Sequence, residues 1–258
     1  MSEASRTVGG MSLPEVVDRQ EWLEARRAFL DREKQHTRER DALNADRRRL
    51  PMTRIGKEYV FEGPDGELDL AGLFAGRRQL VVRHVMFGPD WDAPCPACSA
   101  DIRQMTGSLF DELAARDTTY VLVSRAPYAK IAEAKRERGW DVPWFSAHGS
   151  DFNYDLRVTM DEELPQLEYN YRVELELLPA EGERSSELAG ISCFLRAGEE
   201  VFHTYSTYAR GMDYLAGTYP LLDLTALGRQ EDWEEPKDRN ETVKSWDPEK
   251  FWTDAPPA

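Results

Sequence analysis

Two apolar, β-branched runs mark the middle of the chain. They are Leu80-Val81-Val82-Arg83-His84-Val85-Met86-Phe87 and Thr118-Thr119-Tyr120-Val121-Leu122-Val123-Ser124. Their length and composition predict strands buried on both faces. Between them the apolar spacing lengthens to that of a helix, with Ile102, Met105, Leu109 and Leu113 predicting one helix that runs to about Ala115. Pro127–Arg138 reads as a further helix, with Pro127 near its start and Gly139 as its C-cap. Strand alternating with helix implies a parallel sheet with right-handed crossovers. Upstream, Tyr59-Val60-Phe61 is a short strand and Gly63-Pro64-Asp65-Gly66 a turn. Glu67-Leu68-Asp69-Leu70 then leads to a small helical turn ending near Gly76. Downstream, Trp140–Ala147 holds one short strand. Ile191–Leu195 and Val201–Tyr205 form a hairpin around a turn containing Gly198, and Arg210–Gly217 is a final short helix.

Outside this region the pattern loosens. Residues 1–12 are small and polar and read as disordered. Residues 13–50 read as a helical arm, with Ser12 as N-cap and Pro14 in the first turn. Its apolar strip is narrow, and Val17, Trp22, Phe29 and Leu43 are the side chains suited to packing on a second copy. Residues 51–228 form the domain proper, with an insertion at about 151–189. Within it Phe152–Asp155 opens a helix, Tyr169–Leu177 alternates like a strand, and Pro179–Glu187 is a polar loop. Residues 229–258 are an acidic tail whose Trp233, Trp246, Phe251 and Trp252 are unusual for a free segment. Arm and tail together make a homodimer one arrangement the chain allows.

Composition narrows the function classes. Of the 258 residues, 41% are hydrophobic, enough for a real core, and 31% are charged. The net charge of −15 argues against nucleic acid and anionic membranes as partners. No apolar run approaches the roughly 18 residues of a membrane span, and the first ten residues lack the apolar centre of a signal peptide. Three cysteines without an export signal point to a reducing, cytoplasmic setting.

The chemistry concentrates just after the first apolar run. A Gly88-Pro89-Asp90 turn leads through Trp91 and Asp92 to Cys95-Pro96-Ala97-Cys98, which opens the helix. Strand, short loop, C-x-x-C and helix is the layout in which paired cysteines signify redox chemistry. Cys95 falls at the helix start, with Pro96 at the first helical position where its missing N–H costs nothing. Unpaired helix N–H groups and the positive end of the dipole stabilise a thiolate there. Cys95 is therefore the candidate nucleophile and Cys98 the resolving thiol. The rivals are an inert buried pair, a structural disulfide, which a reducing compartment disfavours, and a zinc site. Zinc needs four ligands, and the third cysteine, Cys193, is remote in sequence with no second paired-ligand motif. No metal or cofactor is called for.

The order β, β, α, β, α, β, antiparallel hairpin and α is the thioredoxin topology with an extra N-terminal strand. The runs Tyr59–Asp92 and Phe202–Arg229 resemble a bacterial thioredoxin-like family labelled domain of unknown function 899, over about Leu13 to Arg229. The resemblance implies an α/β, thioredoxin-like fold: a central mixed sheet flanked by helices. It implies far less about the reaction, although some members are labelled dithiol–disulfide isomerase-like. Thioredoxins carry Gly-Ile-Pro before the hairpin, with the cis-proline against the disulfide. Here Gly190-Ile191-Ser192 corresponds, and a cis bond before a non-proline costs about 3–4 kcal/mol, so a trans bond is expected. Cys193 would then lie near the thiols. The early Gly-Pro-Asp-Gly region also resembles peroxiredoxins, which place Thr or Ser three residues before the reactive cysteine. Asp92 stands there instead, where a carboxylate repels a thiolate.

The expected function is thiol–disulfide exchange by Cys95 and Cys98, with a disulfide-containing protein or small thiol as substrate and a cellular thiol reductant returning electrons. The alternatives are peroxide reduction by the same cysteines and a non-enzymatic interaction module. Trp91, Asp92, Pro96, Ser192 and Cys193 are the expected site lining. His84 is either a core histidine or, if it points to the strand's end, a stabiliser of the thiolate.

Overall fold

Continuous apolar, β-branched runs build the middle of the sheet, because its central strands bury side chains on both faces. The computed structural model describes residues 7–8, 11–12, 14–161, 168–173, 185–215 and 217–226. The expected tail at 229–258, most of the expected disordered N-terminus and the loop from Pro179 to Arg184 lie outside them. The described residues divide into two compact units, Pro51–Ala216 and the flanking segments up to Leu50 and from Gly217 on.

In the Pro51–Ala216 unit the strands are β1 (Thr53–Arg54), β2 (Val60–Gly63), β3 (Gly66–Asp69), β4 (Gln79–His84), β5 (Thr118–Ser124), β6 (Trp144–Ser146), β7 (Gly190–Ala197) and β8 (Glu200–Tyr208). Their order across the eight-stranded sheet is β1-β8-β7-β4-β5-β6-β2-β3. β4, β5 and β6 run parallel, while β7 lies antiparallel to β4 and β8 to β7. This is the mixed sheet of a thioredoxin-like fold, as the element order predicts. The stretch from Gly66 to Asp69, expected only to lead into a helical turn, instead pairs with β2 as a hairpin strand. The turn itself follows as a 3-10 helix, Gly72–Phe74.

In the other unit a 29-residue helix, α1 (Arg19–Arg47), starts later than expected. Ser12 is not its cap. Asp18 is, because its carboxylate accepts the N–H groups of Gln20 (2.7 Å) and Glu21 (2.9 Å) while Glu21 accepts the Asp18 N–H. After β4 the single predicted helix is two, α2 (Pro96–Gln104) and α3 (Gly107–Ala114). Met105 and Thr106 are extended, and Thr106 stands at the N-cap position of α3, with no side-chain capping bond, before a glycine, a poor helix interior residue. The break shifts the helical phase, so Leu109 is exposed and Phe110 packs on the core in its place. α4 (Tyr128–Arg138) ends at Gly139 in the left-handed conformation, as predicted.

The sheet separates two apolar layers. Leu80, Val82, Val121, Val123, Phe61, Phe74, Phe152 and Phe194 fill one. Val85, Phe87, Leu122, Trp144, Ile102, Ile131 and both cysteines of the C-x-x-C fill the other. His84 shares the first face with Leu80 and Val82. Its ring is fully buried beside Phe152, at 5.7 Å between centroids, and its Nε2 lies 2.9 Å from the Ser192 hydroxyl. It therefore turns away from the thiol layer and is a core histidine. From Ser192 the polar chain continues to Ser206 (2.8 Å) and to Nε2 of half-buried His203 (2.7 Å).

Burial pushes the His84 pKa down to about 3, with the Arg83 charge adding to the shift. The folded ring thus stays neutral while the unfolded one gains a proton near pH 6.5. His84's contribution is full above about pH 6.5 and declines as pH falls towards 3, by up to about 1.4 kcal/mol per pH unit. Urea unfolding of the wild type across pH 4–7 is expected to show a steeper acid loss than His84→Gln; parallel curves would refute this account.

Candidate active site

The end of β4 delivers the thiols. Val85 continues the strand by donating to the Val123 carbonyl (2.8 Å), and the Met86 carbonyl then accepts the Cys95 N–H (2.9 Å). The chain between them turns at Gly88, where the Trp91 N–H donates to the Gly88 carbonyl (3.2 Å). Lys130 of α4 clamps this loop, its ammonium donating to the carbonyls of Pro89 (2.8 Å) and Trp91 (3.0 Å). Gly88 is required by close packing: a Cβ there would stand 3.1 Å from the Trp91 ring and 3.4 Å from Cγ of Glu187.

Cys95 is the N-cap of α2 and Pro96 its first residue, where the sequence places them. All three cysteines are free thiols. Cys95 is 5% exposed and Cys98 3%. The Cys95 sulfur takes a hydrogen bond from the Cys98 thiol and further ones from the N–H groups of Cys98 and Ala97. Together these outweigh desolvation and bring its pKa down to about 7. The same contact holds Cys98 in its protonated form. Its bond to Cys95, its burial and the nearby Cys95 charge push it well above an ordinary thiol. The Arg83 charge and the Met86 N–H act against that rise.

Arg83 is a residue beside the thiols that reading the sequence missed. It follows Val82 and so faces the thiol layer, 7% exposed. Its guanidinium donates to the Asp101 carboxylate (2.6 Å) and to the Met212 sulfur. Asp101 lies one helical turn beyond Cys98, and burial raises its pKa against the pull of Arg83. The available signals were an arginine inside an apolar run and an acid at i+3 from a C-x-x-C cysteine.

The remaining expected residues divide. Trp91 packs against the thiol cluster and Pro96 opens the helix, while Asp92 is exposed to solvent. Ser192 opposes Val82 and hydrogen-bonds His84, so it belongs to the opposite layer and does not line the thiols. The correction is one of register: Gly190-Ile191-Ser192 already lies within β7, and the residue that packs on the thiol cluster is Ala189, just before the strand. Cys193 opposes Val81, on the thiol-side face but down the strand; it is half-buried, and its charge is felt at Tyr120.

Ala189 is fixed by a second set of contacts that sequence reasoning also missed. Its carbonyl accepts the Tyr169 hydroxyl (2.8 Å), which in turn accepts the Ala209 N–H (3.1 Å). Just upstream, Glu187 is buried against Arg125 (2.8 Å) and Thr159 (2.9 Å), and Arg125 stacks over the Tyr154 ring at 4.5 Å. Among the described residues no three His, Cys, Asp or Glu side chains cluster so as to hold a metal ion, and no helix is long and apolar enough to cross a membrane.

Solved structures similar to the chain include a cysteine-to-serine mutant of peroxiredoxin Q from Xylella fastidiosa. It is 10% identical with a TM-score of 0.39, over 62% of this chain and 86% of that one. A peroxiredoxin Q from Xanthomonas campestris is 13% identical with a TM-score of 0.35, over 62% and 79%. The bacterioferritin comigratory protein of Xanthomonas campestris, described for alkyl peroxide reduction, is 12% identical with a TM-score of 0.35, over 65% and 87%. No curated protein matches the chain. Residues 11–250 match the family described as bacterial protein of unknown function (DUF899), and the chain belongs to that family.

Proposed function

We propose that the protein is a dithiol–disulfide oxidoreductase with Cys95 as nucleophile and Cys98 as resolving thiol. The observation that carries this is the placement of the pair: Cys95 is the N-cap of α2, Cys98 lies one turn on and both are buried in one apolar cluster, which favours the thiolate at Cys95 over Cys98. The Cys95 thiolate attacks one sulfur of a substrate disulfide, forming a mixed disulfide and releasing the other half as a thiolate. Cys98 then loses its proton to solvent and attacks the Cys95 sulfur, which releases the second half and leaves the Cys95–Cys98 disulfide. The substrate gains two electrons and the protein loses two. A cellular thiol reductant restores the dithiol.

Alkylation of Cys95 by iodoacetamide is expected to rise with pH through a midpoint near 7, as thiolate replaces thiol. Cys95→Ser should abolish disulfide reduction. A midpoint near 8.5, the value of an unperturbed thiol, or activity surviving in Cys95→Ser, would overturn the assignment.

Arg83→Met removes the cation that favours the Cys98 thiolate. Closure of the mixed disulfide should slow by about tenfold per pKa unit gained by Cys98, while the Cys95 alkylation midpoint stays near 7. Arg83→Lys should restore part of the closure rate. Mass spectrometry of acid-quenched samples follows the mixed disulfide; unchanged closure in Arg83→Met would remove Arg83 from the mechanism.

A further inference from the structure

A polypeptide disulfide makes demands beyond reach of its sulfur. The peptide on either side must lie along the protein beside the thiol, and its N–H and C=O groups must find partners there or remain unpaired. In this fold the natural place is the extended segment that precedes β7, because Ala189 packs directly on the thiol cluster.

That segment is already occupied by the chain itself. Ser186 and Glu187 pair antiparallel with Met160 and Thr159. The Leu188 N–H donates to the Val158 carbonyl (2.8 Å), and the Ala189 carbonyl accepts the Tyr169 hydroxyl. The Glu187 carboxylate, 1% exposed, is tied to Arg125, so this arrangement is anchored by a buried ion pair. On the other side of the thiols the Trp91 loop is held down by Lys130. Both cysteines are nearly covered, and partly buried Trp91, Met86, Met105 and Ala189 pack against the apolar cluster that holds them.

We propose that the substrate is a low-molecular-weight disulfide, and that polypeptide disulfides are disfavoured because the Leu188 N–H and the Ala189 carbonyl, which a docked backbone would use, are already paired within the chain. The inference rests on the dithiol reading above and names its substrate class. A compact disulfide needs only the part of Cys95 that is exposed, 5% of its surface, and asks for no backbone partner. A polypeptide must break the Tyr169–Ala189 bond or leave its own groups unsatisfied.

The test mixes the reduced, full-length protein with hydroxyethyl disulfide or with insulin at equal disulfide concentration. Formation of the Cys95–Cys98 bond is followed by mass spectrometry, and each rate is divided by that of dithiothreitol with the same disulfide. The normalised rate is expected to be at least about tenfold higher for hydroxyethyl disulfide, the scale of one unmade backbone hydrogen bond at the barrier. Equal normalised rates would overturn the substrate class while leaving the thiol chemistry standing. Rates no higher than those of Cys95→Ser with both disulfides would overturn the dithiol reading, and the inference with it. Tyr169→Phe frees the Ala189 carbonyl and is expected to narrow the preference by about threefold. A preference unmoved in folded Tyr169→Phe would overturn the lock at Ala189.

Discussion

The site depends on where one negative charge comes to rest. Two thiols one helical turn apart share a hydrogen bond, and the helix start draws the charge to Cys95 because the N–H groups of Ala97 and Cys98 point at its sulfur. Cys98 sits deeper, and a thiolate there would face the desolvation that Cys95 partly escapes. The two therefore titrate as a pair, with Cys98 keeping its proton while Cys95 is ionised. Consumption of the Cys95 thiolate by a substrate changes this balance. Two of the influences that raise Cys98, the bond to Cys95 and the Cys95 charge, then disappear, while Arg83 and the Met86 N–H remain. The resolving thiol becomes acidic at the stage when it must attack. In the proposed reaction this order of events follows from the spacing of the residues.

The period of β4 decides which charged side chain attends this chemistry. Side chains alternate across a strand, so one residue of offset exchanges the two faces. Arg83 meets Cys98 and Asp101; His84 meets Phe152 and Ser192 on the other side. Order of elements, the C-x-x-C at a helix start and the thioredoxin-like sheet were legible in the sequence, because hydrophobic period and turn residues carry them. Face was not. In an apolar run buried on both sides, period supplies no inside and outside, and the histidine drew attention that belonged to the arginine. The same limit misplaced Ser192: the hairpin was visible, but its start was not fixed to within three residues, and three residues separate Ala189 on the thiols from Ser192 beneath the sheet. Helix ends failed for another reason. Ser12 and Asp18 are both acceptable caps in isolation, and only the reciprocal bond to Glu21 distinguishes them. The break between α2 and α3 was hidden because apolar spacing continues through it.

Two buried ion pairs flank the thiols, and neither is evidence of stability by itself. Removing an arginine and a carboxylate from water costs several kcal/mol per ion, which their attraction only partly offsets. What such pairs supply is placement, since an unpaired partner would cost still more. Arg83 extends from β4 to α2 and fixes the helical turn that carries Cys98. Arg125, immediately after β5, reaches the segment before β7 and fixes the chain beside Cys95.

Both arginines sit at the carboxyl ends of adjacent parallel strands, the edge at which open α/β sheets present their ligand sites. Here that edge is largely filled from within. Val158–Met160, Tyr169 and Ser185–Ala189 are tied together next to β7 by backbone bonds and by Arg125. Both thiols lie nearly out of reach of water, 5% and 3% exposed. In a drier site the contest between helix N–H groups and desolvation at Cys95 is fought at lower dielectric, so each hydrogen bond to the sulfur counts for more. Burial raises both thiols, and only Cys95 has the helix N–H groups to offset it, so burial is part of what separates the two in acidity.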